Sequence, residues 1–477
     1  MNVLFVASEA VPFSKTGGLA DVAFALPKAL RKENVDARVI ISKTFDLPER
    51  LEKSENHLSH FYVDVGWRKQ YVGLSEIEYD GVPYYFIDNE YYFKRDGLYG
   101  HYDDGEKFSY FCRSVLESIR YMDFKPDVIH FNDWHTGMIP VLLNEHYRHD
   151  EDYKDIKTVY TIHNLKYQGV FGPDILSDLL SMGHDHYHSG GMEFHGGVSF
   201  MKSGINFADA ITTVSETYAK EIQYPFFGER LDGLLRHRDH DLYGITNGLD
   251  HDIYDPRKDP HIIKKYDTRG LKKKRENKLH LQKELGLEVN ENKPMMAMVT
   301  RLANMKGLDL IEHVMDEIMG LDMQFVVLGT GEPHYEKMMQ YYQSKYPDKL
   351  KAEIQFNAPL AHQIYAAADI FLMPSLFEPC GLGQQIALRY GTLPIVRETG
   401  GLKDTVTPYN AFEDEGNGFS FANYNAHEML HSIERAVDLY RDRRAWNKLV
   451  QRAMKSDTSW KNSAKKYIDI YENVMNR

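Results

Sequence analysis

The residues best suited to bind a phosphate group lie in a six-residue phrase that occurs twice. It is TGGLAD at residues 16–21 and TGGLKD at residues 399–404. Each copy follows an apolar run typical of a buried strand and precedes a pattern typical of a helix. Paired glycines let a backbone approach a ligand, and the N–H groups and dipole of a helix N-terminus attract an anion. The two copies therefore predict two phosphate-binding loops, although a Gly-Gly pair can also serve only as a sharp strand-to-helix turn.

Three cationic side chains accompany these loops. Lys15 directly precedes the first copy, and the segment MVTRLANMKGLDL carries Arg301 and, five residues later, Lys306. Ligands of doubly wound α/β proteins bind at the carboxyl ends of the strands, so Arg301 and Lys306 are predicted to reach a ligand. A guanidinium group can fork two phosphate oxygens and an ammonium group supplies a mobile charge, which suits a departing diphosphate. The alternative is a pair of ordinary surface cations.

The segment FEPCGL at residues 377–382 places a carboxylate ahead of a Gly-rich turn and a predicted helix. Glu378 can accept hydrogen bonds from sugar hydroxyl groups while the helix N-terminus holds a phosphate, or it can simply cap that helix. Cys380 is interpreted as a small residue lining the site, because the sequence shows no base beside it that would activate a thiol.

Polar and aromatic side chains follow two further predicted strands. The segment TIHNLKYQG ends one strand with His163 and Asn164, and HFNDWHTG ends another with Asp133 and Trp134. Strand ends of an α/β sheet are the usual place for a ligand, so these side chains are predicted to line a polar, aromatic site. Many other aromatic residues cluster at residues 84–111; aromatic faces can stack on sugars, but filling the core is the commoner role and is expected here.

Two series of short apolar runs form the elements that must position these residues. The first series lies at residues 3–7, 37–42, 127–131, 158–162, 210–214 and 242–245, and the second at residues 295–300, 325–328, 353–356, 370–373 and 393–396. Alternation of such runs with helical patterns is typical of parallel βαβ units. The sequence therefore predicts an α/β fold with two Rossmann-like domains facing a central cleft.

Composition places the boundary between these domains near the middle of the chain. Residues 246–260 are rich in glycine, aspartate and proline and are predicted to form a linker or hinge. The predicted domains are residues 1–245 and 261–459, and a final helix at residues 460–477 is assigned to the first domain. Another helix is predicted at residues 271–287, where the basic side chains are expected to form a solvated face.

The overall composition narrows the class of protein. The chain has 477 residues, is 43% hydrophobic and 27% charged, and carries a formal net charge of −13. This charge disfavours nucleic acid or an anionic membrane as the main partner, since both attract basic surfaces. The N-terminus lacks the basic start of a signal peptide and no apolar run reaches about 18 residues, so a cytoplasmic protein is expected.

Neither a disulfide nor a metal site is expected. The chain has two cysteines, Cys112 and Cys380, which do not have a metal-binding or paired spacing. His184, His186 and His188 alternate in a histidine-rich loop, but no helix-spaced histidine pair accompanies them.

Six features together closely resemble the bacterial glycogen synthase and plant starch synthase family. They are KTGGLAD at residues 15–21, TIHNLKYQG at 161–169, TNGLD at 246–250, the Arg301 and Lys306 pair, FEPCGL at 377–382 and ETGGLKDTV at 398–406. The match keeps the family's order and spans essentially the whole chain. It implies the two-domain GT-B arrangement and transfer of glucose from ADP-glucose to the non-reducing end of an α-1,4-glucan. Retention of configuration and independence of any metal or other cofactor are also implied.

The resemblance implies roles for particular residues on the donor side. Arg301 and Lys306 are implied to contact the diphosphate, and Glu378 to hold the glucose. The other implied donor-binding residues are Lys15, Gly17, Gly18, Asp21, Asn247, Phe356, Cys380, Gly381 and Leu382. Phe356 stands where relatives commonly carry a tyrosine that stacks on adenine, so this chain keeps the aromatic face and loses the hydroxyl group.

On the acceptor side, the resemblance implies that the backbone carbonyl of His163 faces the anomeric carbon of the transferred glucose. The residues implied to lie towards the glucan are Glu9, Asp133, Trp134 and Asn164. His163, Arg301, Lys306 and Glu378 form the implied catalytic set. The N-terminal domain is thereby expected to bind the acceptor and the C-terminal domain the nucleotide sugar.

Two alternatives remain open. One is a related retaining transferase that uses UDP-glucose or a small acceptor, and the other is a non-catalytic glucan-binding protein that has kept the fold. An NAD-dependent oxidoreductase is disfavoured, because neither glycine loop has the GxGxxG spacing of a dinucleotide-binding turn.

Overall fold

The computed structural model describes residues 1–47 and 49–477 of the chain. They divide into two compact units, one formed by Met1–Asn247 with Trp460–Arg477 and the other by Gly248–Ser459. Each unit is built around a mainly parallel sheet with helices packed on it. The prediction of an α/β fold with two Rossmann-like domains is confirmed.

The first unit contains one large and one small sheet. Its strands are β1 (Asn2–Val6), β2 (Asp36–Ser42), β3 (Asn56–Val65), β4 (Arg68–Tyr79), β5 (Val82–Asp88), β6 (Val128–Asn132), β7 (Lys157–Ile162), β8 (Val170–Phe171), β9 (Glu193–Phe194), β10 (Gly197–Ser199), β11 (Ala210–Thr213) and β12 (Leu242–Gly244). The large sheet has nine strands in the order β12-β11-β7-β6-β1-β2-β5-β4-β3, and β4 runs antiparallel to both of its neighbours, β5 and β3. The small sheet is antiparallel, in the order β8-β10-β9.

Helices connect the strands of the first unit. They are α1 (Gly18–Lys32), α2 (Glu49–Glu52), α3 (Glu90–Phe93), α4 (Asp104–Ser118), α5 (Ile139–Leu142), α6 (Ile175–Asp178), α7 (Asp185–His188), α8 (Phe200–Phe207), α9 (Glu216–Glu221) and α10 (Asp232–His237). Strand β6 is buried along its whole length. Such continuous burial is expected of a central parallel strand, because crossover helices cover both faces of the sheet.

The second unit has a six-stranded sheet. Its strands are β13 (Met295–Val299), β14 (Gln324–Leu328), β15 (Leu350–Glu353), β16 (Ile370–Met373), β17 (Leu393–Arg397) and β18 (Phe419–Phe421). Its helices are α11 (Leu271–Glu284), α12 (Leu308–His313), α13 (Met315–Gly320), α14 (Pro333–Lys345), α15 (Ala358–Ala367), α16 (Gly383–Tyr390), α17 (Gly400–Thr405), α18 (Ala426–Arg441) and α19 (Arg443–Met454). The strands are parallel, in the order β15-β14-β13-β16-β17-β18.

The last helix, α20 (Trp460–Met475), packs into the first unit. Its buried aromatic residues share a hydrophobic core with Phe5 of β1 and Leu26 of α1. The hydroxyl group of Tyr471 in α20 lies 2.7 Å from Nδ1 of His130 in β6. The C-terminal helix is therefore held by apolar burial and by a buried hydrogen bond to a central strand.

One predicted strand is displaced. The apolar run at residues 353–356 begins where β15 (Leu350–Glu353) ends, and Phe356 lies beyond the strand with 92% of its surface exposed. Apolar character identified this run, but the pairing with β14 involves residues that precede it. The prediction of a strand at 353–356 is therefore wrong by about three residues, which is within the usual error for element boundaries.

The basic side chains of α11 do not all form a solvated face. Lys274 and Lys278 are buried, with 6% and 1% of their surface exposed. Lys278 forms an ion pair of 2.6 Å with Asp369, and Lys274 donates to the carbonyl of Ala366 at 3.0 Å and to the hydroxyl of Thr392 at 2.9 Å. Burial lowers the pKa of Lys274 to about 7. The predicted solvated face is wrong for these two lysines, because partners distant in sequence satisfy their ammonium groups.

Residues after Gly248 are anchored in the second unit. Within the segment predicted to be a linker, Asp255 pairs with Arg389 at 3.2 Å, and Asp259 accepts a hydrogen bond from Tyr390 at 2.5 Å. Both aspartates are almost completely buried. Asp255 and Asp259 thus hold the second half of residues 246–260 against helix α16.

Across residues 1–47 and 49–477, no helix is both long enough and apolar enough to span a bilayer.

Candidate functional site

The first glycine loop follows β1 and leads directly into α1. Its threonine is held by Glu9, whose Oε2 accepts hydrogen bonds from the backbone N–H of Thr16 and, at 2.8 Å, from the Thr16 hydroxyl group. Burial raises the pKa of Glu9 above its ordinary value, although the hydrogen bonds from Thr16 oppose that effect. Lys15 pairs with Asp21 at 2.6 Å while about half of its side chain stays exposed.

The glycines of this loop leave room for a ligand. Gly17 is extended and caps α1, a helix of 15 residues, without a side-chain cap. A Cβ atom added to Gly18 would meet nothing within 4 Å. The N–H groups at the start of a long helix are unsatisfied and carry the positive end of the helix dipole. This loop can therefore accept an anion, with Lys15 beside it.

Asp133 and His163 follow the neighbouring strands β6 and β7. An Asp133 carboxylate oxygen accepts a hydrogen bond of 2.8 Å from the backbone N–H of His163 and another from that of Asn164. Part of the Asp133 side chain reaches solvent, yet the protein around it removes most of its hydration, which raises its pKa to about 7. Asp133 also has φ of +55°, a strained value for a residue other than glycine. Such strain is common at functional sites.

A buried amide sets the form of His163. The Nδ2 group of Asn132 donates to the carbonyl of Val6 at 2.9 Å, so its Oδ1 faces His163 Nε2 at 2.9 Å as an acceptor. Nε2 must therefore carry the proton, and Nδ1 is left as the acceptor of the ring. Burial lowers the pKa of His163 to about 3. The imidazole is neutral, fixed in one tautomer, and unable to act as an acid near neutral pH.

Tyr99 belongs to this site although it was expected to fill the core. Its hydroxyl group lies 2.7 Å from Oγ of Ser8, and its ring stacks on His135 with 4.3 Å between centroids. Burial raises the pKa of Tyr99, and the nearby Glu9 and Asp133 carboxyl groups add to this effect. The only sequence signal for Tyr99 was the aromatic cluster at residues 84–111, which does not distinguish it from its neighbours.

In the second unit, Lys306 and Glu378 meet beyond the adjacent strands β13 and β16. Nζ of Lys306 lies 2.6 Å from Oε2 of Glu378, and the two side chains are only 18% and 11% exposed. The hydroxyl group of Ser375 donates to the same oxygen at 3.1 Å. A largely buried ion pair at the carboxyl ends of two strands is positioned for a ligand that brings its own charge.

The second glycine loop packs against the segment that carries Glu378. A Cβ atom added to Gly400 would lie 2.0 Å from the carbonyl oxygen of Glu378, and one added to Gly401 would lie 2.1 Å from that of Cys380. The backbone N–H of Gly401 donates to the carbonyls of Glu378 and Pro379, each at 3.1 Å. These glycines therefore permit a close backbone contact.

The remaining predicted donor-binding residues are Arg301, Phe356, Cys380, Gly381, Leu382 and Asn247. Arg301 is exposed just after β13, and Phe356 is exposed after β15. Leu382 caps α16, preceded by Gly381 in the left-handed region with φ of +73° and by the buried Cys380. Asn247 is buried at the end of the first unit.

The described part of the chain contains no group of three or more His, Cys, Asp or Glu side chains arranged to hold a metal ion. Within that part, His186 contacts Glu145 at 2.8 Å.

Comparisons with known proteins agree over both units. The family model described as "Starch synthase catalytic domain" matches residues 2–237, and that described as "Glycosyl transferases group 1" matches residues 283–452. A protein named glycogen synthase from Clostridium acetobutylicum is 57% identical, with 100% of each chain covered. Another from Clostridioides difficile is 55% identical, covering 99% of this chain and 100% of the other.

Two solved structures also resemble this chain over its whole length. The catalytic domain of starch synthase IV from Arabidopsis thaliana, bound to ADP and acarbose, is 32% identical with a TM-score of 0.90, covering 100% of this chain and 99% of the other. Sucrose-phosphate synthase from Thermosynechococcus elongatus shares the fold, with a TM-score of 0.62 at 16% identity over 100% of this chain and 99% of the other. The chain belongs to the glycogen synthase and starch synthase family, and it is a glycosyltransferase with the two-domain GT-B fold.

Proposed function

We propose that this protein transfers glucose from ADP-glucose to the non-reducing end of an α-1,4-glucan, with retention of configuration and release of ADP. The observation that carries the proposal is the largely buried Lys306–Glu378 pair at the ends of β13 and β16. Its ammonium group suits a diphosphate and its carboxylate suits sugar hydroxyl groups. Full-length relatives named glycogen synthase and the starch synthase structure bound to ADP support the choice of donor and product.

The second unit supplies most of the donor-binding residues in this proposal. Arg301 and Lys306 neutralise the diphosphate, and Glu378 accepts hydrogen bonds from the glucose. Lys306 and Glu378 form an ion pair, so a bound diphosphate competes with Glu378 for the Lys306 ammonium group, and glucose hydroxyl groups compete with Lys306 for the carboxylate. Phe356 offers an exposed ring for adenine. The other donor contacts come from Asn247 and from residues 380–382 ahead of α16.

The first unit supplies the acceptor-binding residues and one further donor contact. Lys15, Gly17 and Gly18 form an open anion-binding loop, with Asp21 paired to the lysine. Glu9, Asp133, Trp134 and Asn164 are proposed to face the glucan. The backbone carbonyl of His163 is proposed to face the anomeric carbon, and the neutral ring, held by Asn132, hydrogen-bonds the sugar without transferring a proton.

The chemistry we propose is a front-face displacement. This differs from the reaction of retaining glycosidases, which use a carboxylate nucleophile about 5 to 5.5 Å from a second carboxyl group. Here the bond from the anomeric carbon to the diphosphate breaks first, giving an oxocarbenium-like centre. The acceptor hydroxyl then forms its bond from the same face, and its proton passes to the departing phosphate oxygen. Lys15, Arg301 and Lys306 stabilise the charge on that phosphate.

We also propose that no metal ion takes part. Three cationic side chains, Lys15, Arg301 and Lys306, provide the positive charge that a divalent ion would otherwise supply. Turnover in excess EDTA should equal turnover in its absence, whereas a loss that Mg²⁺ restores would contradict this part of the proposal.

A cytoplasmic location is likewise proposed. Cys112 and Cys380 are both buried and neither is in a disulfide, which suits a reducing compartment. Fractionation of expressing cells should recover the protein with cytoplasmic markers, and recovery with membrane or secreted fractions would contradict the proposal.

The test is to measure nucleotide release with glycogen as acceptor and ADP-glucose or UDP-glucose as donor. ADP release well above UDP release supports the proposal. Preference for UDP-glucose would favour the related transferase, and no release from either donor would favour a non-catalytic glucan-binding protein. Lys306→Ala and Glu378→Ala should each lower kcat strongly while circular dichroism shows an intact fold, and near-normal turnover would remove these residues from the site.

A further inference from the structure

The loop that carries Tyr99 joins α3 to α4 and has a glycine close to the tyrosine on each side. Gly97 and Gly100 have φ of +78° and +93°. A Cβ atom added to Gly100 would meet nothing within 4 Å, so steric packing does not hold this glycine in place. Glycine has more conformational freedom to lose than any other residue. The position of Tyr99 therefore depends on contacts that come from outside the loop.

One ion pair in α4 holds the backbone on both sides of Tyr99. Nζ of Lys107 lies 2.6 Å from Oδ1 of Asp104. The same ammonium group donates to the carbonyl of Leu98 at 2.8 Å, and Oδ2 of Asp104 accepts from the backbone N–H of Gly100 at 2.8 Å. These are the carbonyl just before the tyrosine and the N–H group just after it. We call this arrangement the Lys107–Asp104 clamp.

The clamp is buried and has no room to contact a substrate. Lys107 and Asp104 are only 3% and 6% exposed. The Lys107 side chain lines a cavity of about 10 Å³, which is too small for a sugar ring. Desolvation offsets much of the attraction within a buried ion pair, so such a pair is better suited to fix a geometry than to add stability. Any effect of the clamp on a reaction must pass through the residue that it holds.

That residue connects the clamp to the first glycine loop. The hydroxyl group of Tyr99 lies 2.7 Å from Oγ of Ser8. The next residue, Glu9, accepts the hydrogen bond from the backbone N–H of Thr16 at the start of the loop. On its other side, the Tyr99 ring stacks on His135. A displaced tyrosine would therefore remove a contact from the segment that holds the loop.

We propose that Lys107 and Asp104 are positioning residues for the transfer reaction and that they act by fixing Tyr99. The tyrosine in turn keeps Ser8 and Glu9, and through them the first glycine loop, in the arrangement that binds the donor diphosphate. The task of that loop rests on the proposed function. Neither charged group of the clamp touches the reacting atoms.

The test is a double-mutant cycle between the clamp and the tyrosine. Lys107→Met removes the ammonium group and keeps the length of the side chain. It should lower kcat with ADP-glucose and glycogen by about tenfold or more, as expected for losing a hydrogen bond from a charged donor. In the Tyr99→Ala background the same change should alter kcat by no more than about twofold, because the residue through which it acts is gone. Lys107→Arg, which keeps the charge and the donor, should recover most of the activity.

Hydrogen exchange at the Thr16 amide gives the same cycle without turnover. Exchange should be faster in Lys107→Met than in the wild type, and equally fast in Tyr99→Ala and in the double variant. This pattern in a protein that transfers no glucose would reject the proposed reaction and leave the clamp proposal standing. It also decides the matter if Tyr99→Ala is too slow to assay.

Lys274→Met is the matched control. Lys274 is also a buried lysine that donates to a backbone carbonyl, but it lies in the second unit. Its replacement should change neither kcat nor the exchange of Thr16.

Two results would overturn the proposal. One is a full kcat in Lys107→Met, and the other is a loss as large in the Tyr99→Ala background as in the wild type, which would indicate a general structural defect. If Lys107→Met does not fold, Asp104→Asn replaces it in both cycles. That variant keeps an acceptor for the Gly100 N–H group and removes the charge of the pair, so the same dependence on Tyr99 is expected.

Discussion

The two TGGLxD loops differ at one residue within the phrase, Ala20 against Lys403, and yet they occupy opposite environments. At Gly18 the space around the backbone is open, and the following helix has 15 residues. At Gly401 the backbone is pressed against the carbonyl of Cys380, and the following helix has only six residues. The first loop leaves the space beside its backbone open, and the second packs against the segment that carries Glu378.

A glycine pair therefore has no fixed role. In both loops the absence of a Cβ atom permits a close approach to the backbone, but at the first loop the space is open and at the second it is filled by the protein itself. The cationic side chain that pairs with Glu378 beside the second loop is Lys306, which follows another strand. Whether a glycine motif of this kind can bind phosphate therefore depends on whether protein atoms already fill the space next to its glycines.

The sharpest test of this comparison removes one lysine from each loop. Lys15→Ala should lower kcat about 100- to 1,000-fold, because a contact to the leaving diphosphate contributes most in the transition state. Lys403→Ala, an exposed lysine inside the second copy, should leave kcat unchanged. Steady-state kinetics with ADP-glucose and glycogen measures both. Equal losses in the two variants would show that both loops bind the donor.

The glycines provide the next test. Gly401→Ala should lower the free energy of unfolding by about 1–3 kcal/mol, because its methyl group would overlap the Cys380 carbonyl oxygen. Gly18→Ala should not destabilise the protein, since the added methyl group enters open space at the start of a helix.

Urea unfolding followed by circular dichroism measures the two effects. If Gly401→Ala proved as stable as the wild type, the second loop would not be a packed support, and the contrast between the loops would fail.

Asp133, near the first loop, predicts a pH dependence. Its pKa is about 7 in the folded protein and 3.8 for an ordinary carboxyl group, so between these values the folded state keeps a proton that the unfolded state releases. The free energy of unfolding therefore falls as pH rises through this range, by at most about 1.4 kcal/mol per pH unit. Asp133→Asn keeps the acceptor oxygen and removes the ionisation. Urea unfolding across this range should give a flatter dependence for the variant, and parallel curves would show that Asp133 is well hydrated.

The smallest expected effect concerns the nucleotide. Phe356→Ala should raise the KM for ADP-glucose by about two- to tenfold, which is typical of losing one aromatic stacking contact. Phe356→Tyr should change it little, and Phe412→Ala is a matched control because Phe412 is also fully exposed in the second unit. An unchanged KM in Phe356→Ala would mean that other groups bind the nucleotide. The second glycine loop would then again be a candidate for binding it.

The sequence predicted strands best where a strand is buried along nearly its whole length. The apolar run at residues 158–162 lies within β7 (Lys157–Ile162), because a central parallel strand is covered on both faces. Strand β3, at the sheet edge, was not predicted because its residues alternate between exposed and buried and form no continuous apolar run. Its pairing with β4 completes that edge of the sheet.

The sequence predicted most residues of the candidate site but not the contacts between them. The sequence identified Lys306 and Glu378, but not their ion pair across 72 residues. It identified His163 and missed Asn132, whose amide fixes the tautomer of the ring. Contacts of this kind depend on which strands become neighbours, and no local pattern records that.

Residue types and motifs were enough to identify the family, the two α/β domains and the cationic side chains suited to a sugar diphosphate. Residue type and local spacing are enough for these, because strand and helix periodicity are local properties. The tertiary structure decided which glycine loop stays open, that His163 is neutral, and that Lys274 is buried. Each of these depends on desolvation or steric contact with residues distant in the chain, which arises only when the strands pack together.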